Sequence, residues 1–576
     1  MRYQVLAGRR RFNKRVTATL LSSVWVVCGA LAAYAADPAE NDRELLKAKP
    51  EVVEAWQDMR FGMFICWGPV SLTGKEIGWS RGRGTPVKEY DNLYKRWNPQ
   101  QFDARAWAKV VRETGAKYVV FLTKHHDGFC LWDTKQTDYN VMNTPFGRDV
   151  TGELAAALKD EGIAFFPYYS TCDWHHPDFP LTSPGGKTKR ATHNLERYTA
   201  YLEAQSKELI TQYGPLLGIW YDVPQCFDRA RGERVIRYVR RLQPDLLVNN
   251  RTGAPGDFDT PEQRLGKFPM DRPWETCMTL GTQWAWKPND HIKSLKQCID
   301  VLVTCAARNG NLALNTGPMP DGRIEPRQAK RFRKIGGWLD KYGESIYGTR
   351  GGPYVSPGWG GSTRKGHTLY IHILKWPQET LVLPPIDRKI VSHSALTGGT
   401  SRVEQTDDGI TVDVPPEHRN ELDTIVRLEL DASAMPIKPI RILSPELRGV
   451  ISLEKKASAS GQWSGRYDPS KAFDGERSTR WGAPPNSTTG WLAVDLGKPM
   501  TFNRVVILEA WNRVRRFRLQ YKNGVHWKTF HAGTTLGPFD KGIQPVHARH
   551  VRLMIQEAAD VPTIWEFRLY ASEAEK

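Results

Sequence analysis

Between residues 61 and 315, seven short apolar runs each lead into a loop or helix. Six of those exits carry side chains that bind sugars or move protons. The run at 61–67 (FGMFICW) ends on Trp67, with Glu76 and Trp79 beyond it, and 117–123 (KYVVFLT) is followed by Lys124, His125, His126 and Asp127. The run at 163–170 brings Tyr168 and Tyr169, then Asp173 and Trp174, and 216–221 (LLGIWY) is followed by Asp222. After 246–250 (LLVNN) come Arg251 and a loop reaching Asp259 and Glu262, and 274–280 (WETCMTL) precedes Trp284 and Trp286. Indole faces stack on the apolar faces of sugar rings, while carboxylates, imidazoles and guanidinium groups bond to hydroxyls. A pair of carboxyl groups on one rim is what hydrolysis of a glycosidic bond requires. One attacks or stabilises the anomeric centre, and the other delivers and removes a proton. The rival chemistry is a metal centre at His125-His126-Asp127 or at His175-His176. Neighbouring residues on a strand point to opposite faces, and neither place has HxH or HExxH spacing, so neither pair suits a single ion.

Side chains spread from residue 67 to residue 286 meet only if the apolar runs are strands whose carboxyl ends share one face. Helical patterns at 102–114, 149–161, 193–213 and 291–309 lie between the runs. Near-continuous apolar strands joined by helices mean a parallel sheet covered on both sides. Seven strands predict a (β/α)8-like barrel over residues 45–347, with one strand irregular and the active groups on the carboxyl-end loops. The alternative, a doubly wound sheet, lacks a GxGxxG or phosphate loop. Residues 348–435, rich in Gly, Pro and short alternating runs, predict an antiparallel β-sandwich. A proline-bearing linker at 436–447 and a second β-sandwich or jelly roll at 448–572 complete the chain.

Composition narrows the classes. Of 576 residues, 40% are hydrophobic and the mean hydropathy is −0.52, which excludes a polytopic membrane protein. The 21 Trp, 20 Tyr and 20 Phe exclude a disordered one. Residues 1–36 read as a signal peptide: a basic segment around Arg9–Arg15, an apolar stretch at 18–33, then Ala33-Tyr34-Ala35. The stretch is broken by Ser22, Ser23 and Gly29, so no stable membrane span is expected after cleavage, and a periplasmic or secreted protein follows. Arg10-Arg11-Phe12 lies close to a twin-arginine signal. Removing residues 1–35 takes away six basic residues and lowers the formal net charge from +18 to +12, which undercuts a nucleic-acid partner. Seven Cys remain, an odd number without regular spacing, so neither a disulfide framework nor structural zinc is expected.

The strings FGMFICWG (61–68), TKHHDGFCLW (123–132), WYD (220–222), NNR (249–251), WETC (274–277) and GNLALNTGP (310–318) resemble the retaining α-L-fucosidases of glycoside hydrolase family 29, over residues 50–430. The resemblance implies an exo-acting enzyme that removes terminal α-L-fucose from a fucosylated oligosaccharide or glycoconjugate through a covalent fucosyl-enzyme, without a cofactor. It implies Asp222 as nucleophile and Trp67, Glu76, Trp79, His125, His126, Tyr169, Arg251 and Trp284 as substrate-binding residues. Glu262 is the preferred acid/base because it follows the NNR strand. Glu275, the alternative, sits at the start of its strand, the wrong end of a parallel barrel. The two carboxyl groups are expected 5–6 Å apart, with Glu262 partly buried. One departure stands out: Cys66 occupies a position where many members carry a sugar-binding His, and a thiol is a poor hydrogen-bond partner. A related 6-deoxy or L-configured sugar therefore stays open. So does a non-catalytic glycan-binding protein on a degenerate barrel, although the presence of both Asp222 and Glu262 argues against it.

The strings YDPSKAFDG (467–475), TRW (479–481), VDLG (494–497), VRL (551–553) and EF (566–567) resemble a discoidin, or coagulation factor 5/8 type C, domain. That resemblance implies a glycan-binding module with a structural calcium at Asp474, Thr479 and Glu566, an oxygen-only set that suits this ion. Trp511 and Arg513 stand on a loop where sugar contact and packing both remain open. The cluster Arg513, Arg515, Arg516 and Arg518 reads as a solvated face; a functional cluster would favour a sulfated or acidic glycan.

Overall fold

A computed structural model describes residues 42–572 except 184–188, 267, 269–271, 356–357, 444 and 478. The export segment therefore lies outside the described residues. Seven parallel strands form the first sheet: β1 (Phe61–Ile65), β2 (Tyr118–Lys124), β3 (Ala164–Ser170), β4 (Gly218–Asp222), β5 (Leu247–Val248), β6 (Glu275–Thr279) and β7 (Asn311–Thr316), in the spatial order β5-β4-β3-β2-β1-β7-β6. The two ends of that order are joined by residues 258–262. Phe258 bridges Asn249 after β5, while Asp259 and Glu262 bridge Trp274 and Cys277 at β6, all in parallel. This irregular eighth strand closes the barrel.

Helices cover the outside: α1 (Pro50–Met59), α2 (Ala104–Thr114), α3 (Val150–Asp160), α4 (Leu195–Tyr213), α5 (Arg229–Leu242), α6 (Leu295–Ala307) and α7 (Pro326–Tyr342). Their starts are set by local chemistry. The side chains of Asp103, Asp149, Asn194 and Asp228 accept from first-turn amides, and Ser294 with Gln297 forms a reciprocal capping box. Helix α1 precedes β1, and its Trp56 packs on Phe258 at 4.4 Å among the side chains that fill the barrel.

Strand parity sorts the barrel into two apolar layers. Phe64, Cys66, Tyr118, Val120, Phe166, Tyr168, Trp220 and Cys277 fill the interior. Met63, Ile65, Trp67, Phe121, Tyr169, Ile219 and Tyr221 pack outward against the helices. Gly62 on β1 makes room inside the barrel. A Cβ there would lie 2.3 Å from the Tyr118 ring, and its absence lets that ring cross the interior.

Strands between Arg350 and Arg441 form a six-stranded and a three-stranded sheet, and their Tyr370 and Ile425 join the outer barrel core. The connector expected at 436–447 is partly built into this unit, because Ile440–Arg441 pairs in parallel with Tyr354 and Val355. The last unit is a seven-stranded antiparallel array from Lys456 to Ala571 with its own core. All seven described cysteines are free, and no helix among the described residues is long and apolar enough to cross a membrane.

Candidate active site

Asp222 is the last residue of β4. It is 8% exposed, and its side chain turns to the interior because Trp220, two residues earlier, does so. Tyr168 on the adjacent strand donates its hydroxyl to Oδ2 at 2.6 Å, Arg251 Nη1 donates to Oδ1 at 2.7 Å, and the Val223 amide donates to Oδ1 at 2.9 Å. Val223 has φ of 51°, a left-handed conformation that a β-branched residue seldom takes, so the chain holds strain directly after Asp222. Arg251 Nη1 also donates to Glu262 Oε2 at 3.0 Å. Two carboxylate oxygens that share one nitrogen at those distances stand within about 6 Å of each other.

The irregular strand makes this possible. Its Thr260 accepts from Arg251 Nε at 2.7 Å through the hydroxyl and from Nη2 at 2.9 Å through the carbonyl, which aims the remaining nitrogen at both acids. The guanidinium lies over the Trp220 indole at 5.0 Å. Burial alone would lower the Arg251 pKa, but the Asp222 carboxylate beside it reverses the sign, and the net shift is upward.

His125 and His126 follow β2. His126 is fully buried; its Nδ1 is 2.6 Å from Ser170 Oγ, and its Nε2 lies 3.8 Å from Asp222 Oδ2. Burial, with Arg251 and Lys124 adding to it, pushes the His126 pKa down to about 3, and burial also lowers that of His125. Both rings are therefore neutral. His125 Nδ1 and His126 Nε2 are buried without a hydrogen-bond partner, an uncommon cost that a polar ligand would remove. Gly78, at φ of 57°, lets the chain pass His125, since a Cβ there would sit 2.1 Å from Nδ1. Half-buried Trp79 meets the His126 ring edge-on at 5.0 Å and that of Trp174 at 5.6 Å.

A family model described as Alpha-L-fucosidase matches residues 30–344, and one described as F5/8 type C domain matches residues 456–567. This chain belongs to the alpha-L-fucosidase family. It is similar to the solved alpha-L-fucosidase isoenzyme 1 of Paenibacillus thiaminolyticus, at 32% identity and a TM-score of 0.62 over 66% of this chain and 99% of that one. A GH29 alpha-L-fucosidase of Bacteroides thetaiotaomicron, solved as a trapped covalent intermediate, gives 29% and 0.60 over 67% and 97%. The plasma alpha-L-fucosidase of Homo sapiens is 28% identical over 408 residues, covering 63% of this chain and 85% of that protein. The chain is thus a glycoside hydrolase with an appended F5/8 type C domain.

In this fucosidase fold, two side chains expected at the sugar lie elsewhere. Trp67 is 1% exposed on the outward face of its strand, packed on Trp97, Phe102 and Trp107, with its Nε1 donating to Met319 O. Tyr169 also points outward, donating its hydroxyl to Gln205 and lying 4.2 Å beneath the Lys124 ammonium. Their inward neighbours, Cys66 and Tyr168, face the interior instead. Glu76 joins two rim loops, its carboxylate accepting from the amides of Ile77, Trp284 and Ala285 at 2.8–3.1 Å. Half-buried Trp284 packs on Phe64 at 5.6 Å. Glu262 is 42% exposed and ion-paired, not partly buried as expected. Glu275 is fully buried inside the barrel, accepting from Trp220 Nε1 at 3.0 Å and from the Tyr118 hydroxyl, and burial pushes its pKa up to about 7. Sequence reasoning missed Tyr168, Trp220 and Ser170 as neighbours of Asp222. The signal was the parallel register, in which Ser170 lies beside Asp222 and Tyr168 beside Trp220.

In the C-terminal domain, Thr479 Oγ1 lies 2.8 Å from both carboxylate oxygens of Asp474. Glu566 is 1% exposed with Oε1 unpartnered, and its pKa is pushed up to about 7, mainly by burial, with Asp474 and Glu476 contributing. Among the described residues no group of three or more His, Cys, Asp or Glu forms a metal cluster. Glu566 Oε2 accepts from Arg568 Nε at 3.2 Å, and its orphaned Oε1 is an oxygen donor of the kind a hard cation takes.

Proposed function

We propose that the chain is an exo-acting α-L-fucosidase that releases terminal α-L-fucose with retention of configuration. The observation that carries this reading is the single Arg251 nitrogen that contacts both Asp222 and Glu262. Carboxyl groups this close suit attack by one of them on the sugar, whereas inversion needs a wider gap of about 6.5–9.5 Å to admit water. Asp222 Oδ2 attacks the anomeric carbon and forms the glycosyl ester. Glu262, on the outer lip, transfers its proton to the leaving oxygen as the glycosidic bond breaks. Glu262 then takes a proton from water, which displaces Asp222 and releases fucose. Arg251 and Tyr168 hold Asp222 aimed, and the unpartnered Nε2 of His126, 3.8 Å from Asp222 Oδ2, takes a sugar hydroxyl. Cys66 on the floor supplies little hydrogen bonding.

The test is hydrolysis of 4-nitrophenyl α-L-fucoside, with the first-formed anomer followed by NMR. Asp222→Ala is expected to lose about 10³-fold or more in kcat, and Glu262→Ala about 10²–10⁴-fold, with azide rescuing the latter. Release of β-L-fucose overturns retention, and rescue of Glu275→Ala in place of Glu262→Ala moves the acid/base. For the C-terminal domain, Asp474, Thr479 and Glu566 would hold a structural calcium. That ion favours the ionised form of Glu566 and has no part in the barrel chemistry.

A further inference from the structure

The two carboxyl groups of the site are anchored unequally. Asp222 accepts three hydrogen bonds, from Tyr168, Arg251 and the Val223 amide. Glu262 is fixed through its backbone neighbours, where Pro261 O accepts from the Cys277 amide at 3.3 Å and the Gln263 amide donates to Cys277 O at 3.0 Å. Its side chain is 42% exposed, and its one hydrogen bond among the described residues comes from Arg251 Nη1. An exposed carboxylate with a single partner keeps its rotamer freedom unless that partner is itself held in place. The direction of Glu262 is therefore decided by whatever holds Arg251.

A run of side chains continues outward from that guanidinium. The Thr260 hydroxyl, which accepts from Arg251 Nε at 2.7 Å, donates to Asn250 Oδ1 at 2.8 Å, so its one proton is committed away from the arginine. Asn250 Nδ2 donates to Asp259 Oδ1 at 3.2 Å, and the Asn250 backbone amide donates to Phe258 O at 3.0 Å. Arg272 Nε donates to the same Asp259 oxygen at 3.2 Å, while its Nη2 donates to the carbonyls of Pro255 and Gly256 at 2.7 and 3.0 Å. Donors meet acceptors without a gap from Arg272, whose side chain is 35% exposed, to the nitrogen that both acids share. Hydrogen bonds linked in series orient one another, because the hydroxyl and the amide can satisfy both of their neighbours in only one direction.

We propose that Asn250, Asp259 and Arg272 are positioning residues for proton transfer: through Thr260 they fix the Arg251 fork, and the fork aims the Glu262 carboxyl at the leaving oxygen. The inference rests on the reading of Glu262 as acid/base. Because Asp222 keeps two other anchors, loosening this run of bonds falls on acid assistance more than on attack. The experiment is kcat/KM of the full chain on two substrates, with thermal melts alongside. Phenyl α-L-fucoside has a leaving group that needs a proton, and 2-chloro-4-nitrophenyl α-L-fucoside has one that departs without it. Asn250→Ala and Arg272→Gln are expected to lower kcat/KM by about tenfold or more on the first substrate and by no more than about threefold on the second. Thr260→Val follows the same pattern, and Thr260→Ser, which keeps the hydroxyl, stays near wild type. Should Asn250→Ala fail to fold, Arg272→Gln at the surface carries the test. A merely structural role lowers both substrates in proportion to the folded fraction; that result, or unchanged kinetics on both, overturns the inference. Glu262→Ala in the same series tells the two failures apart. Leaving-group dependence in Glu262→Ala but not in the outer variants removes the positioning role alone. Its absence from Glu262→Ala removes the acid/base reading and the positioning role together.

Discussion

Tyr168 and Tyr169 are chemically identical neighbours, yet one holds the carboxylate of Asp222 and the other packs under helix α4. A hydrogen bond to a charged group is worth about 1.5–3 kcal/mol. Tyr168→Phe is therefore expected to lower kcat/KM by about 10–100-fold with little change in Tm. Tyr169→Phe removes a buried neutral hydrogen bond. It should cost about 1 kcal/mol of stability and leave kcat/KM within about twofold. Steady-state kinetics beside thermal melts separate the two, and a reversed pattern would show that the strand faces are misassigned. Trp67→Phe belongs with Tyr169: Tm falls and KM does not move. Cys66 remains the residue in the pocket with the least to offer a hydroxyl.

At the scale of the barrel strands, the inner layer beneath the site is built around a buried acid. Glu275 begins β6, and its carboxyl receives the Trp220 indole N–H. That indole stacks on Tyr168 at 5.5 Å and lies under Arg251. Both groups that aim Asp222 thus rest on a ring that Glu275 fixes. Its folded pKa of about 7 is above the ordinary value of 4.5, so the fold favours the neutral carboxyl. The contribution is fully present below about pH 4.5 and is lost as pH rises toward 7, because the unfolded chain ionises first. The wild-type Tm should fall across that window. Glu275→Gln, which keeps an acceptor for Trp220 but cannot ionise, should remove that part of the slope, and melts at a series of pH values read it directly. An unchanged slope would mean that Glu275 is already ionised in the fold. On β1, Gly62→Ala would drive a methyl into the Tyr118 ring and is expected to cost about 1–3 kcal/mol.

The whole molecule couples a catalytic barrel to two β units with different electrostatics. In the last of these, Glu566 without a cation follows the same sign as Glu275, losing stability as pH rises from about 4.5 to about 7. The calcium proposed for this domain would reverse this by favouring the charged form. Chelation with EGTA at pH 7.5 should lower the C-terminal melting transition by about 5 °C or more, with a smaller effect at pH 5, and added calcium should restore it. A transition indifferent to chelator at both pH values would remove the ion. The sequence alone was enough for the alternating βα pattern, the position of Asp222 at the carboxyl end of a strand, and the argument that Glu275 lies at the wrong strand end. Each of these depends on order along the chain. Tertiary structure alone decided which of Trp67 and Cys66, and which of Tyr169 and Tyr168, faces the sugar. A parallel barrel buries both faces of every strand, so its hydropathy does not alternate and carries no record of the inward side. Residues 258–262 were hidden for a related reason. A segment reading Phe-Asp-Thr-Pro-Glu has no strand signature, and it becomes the eighth strand only because β5 and β6 stand on either side to receive it. That closure carries Glu262 to the Arg251 nitrogen that Asp222 already holds.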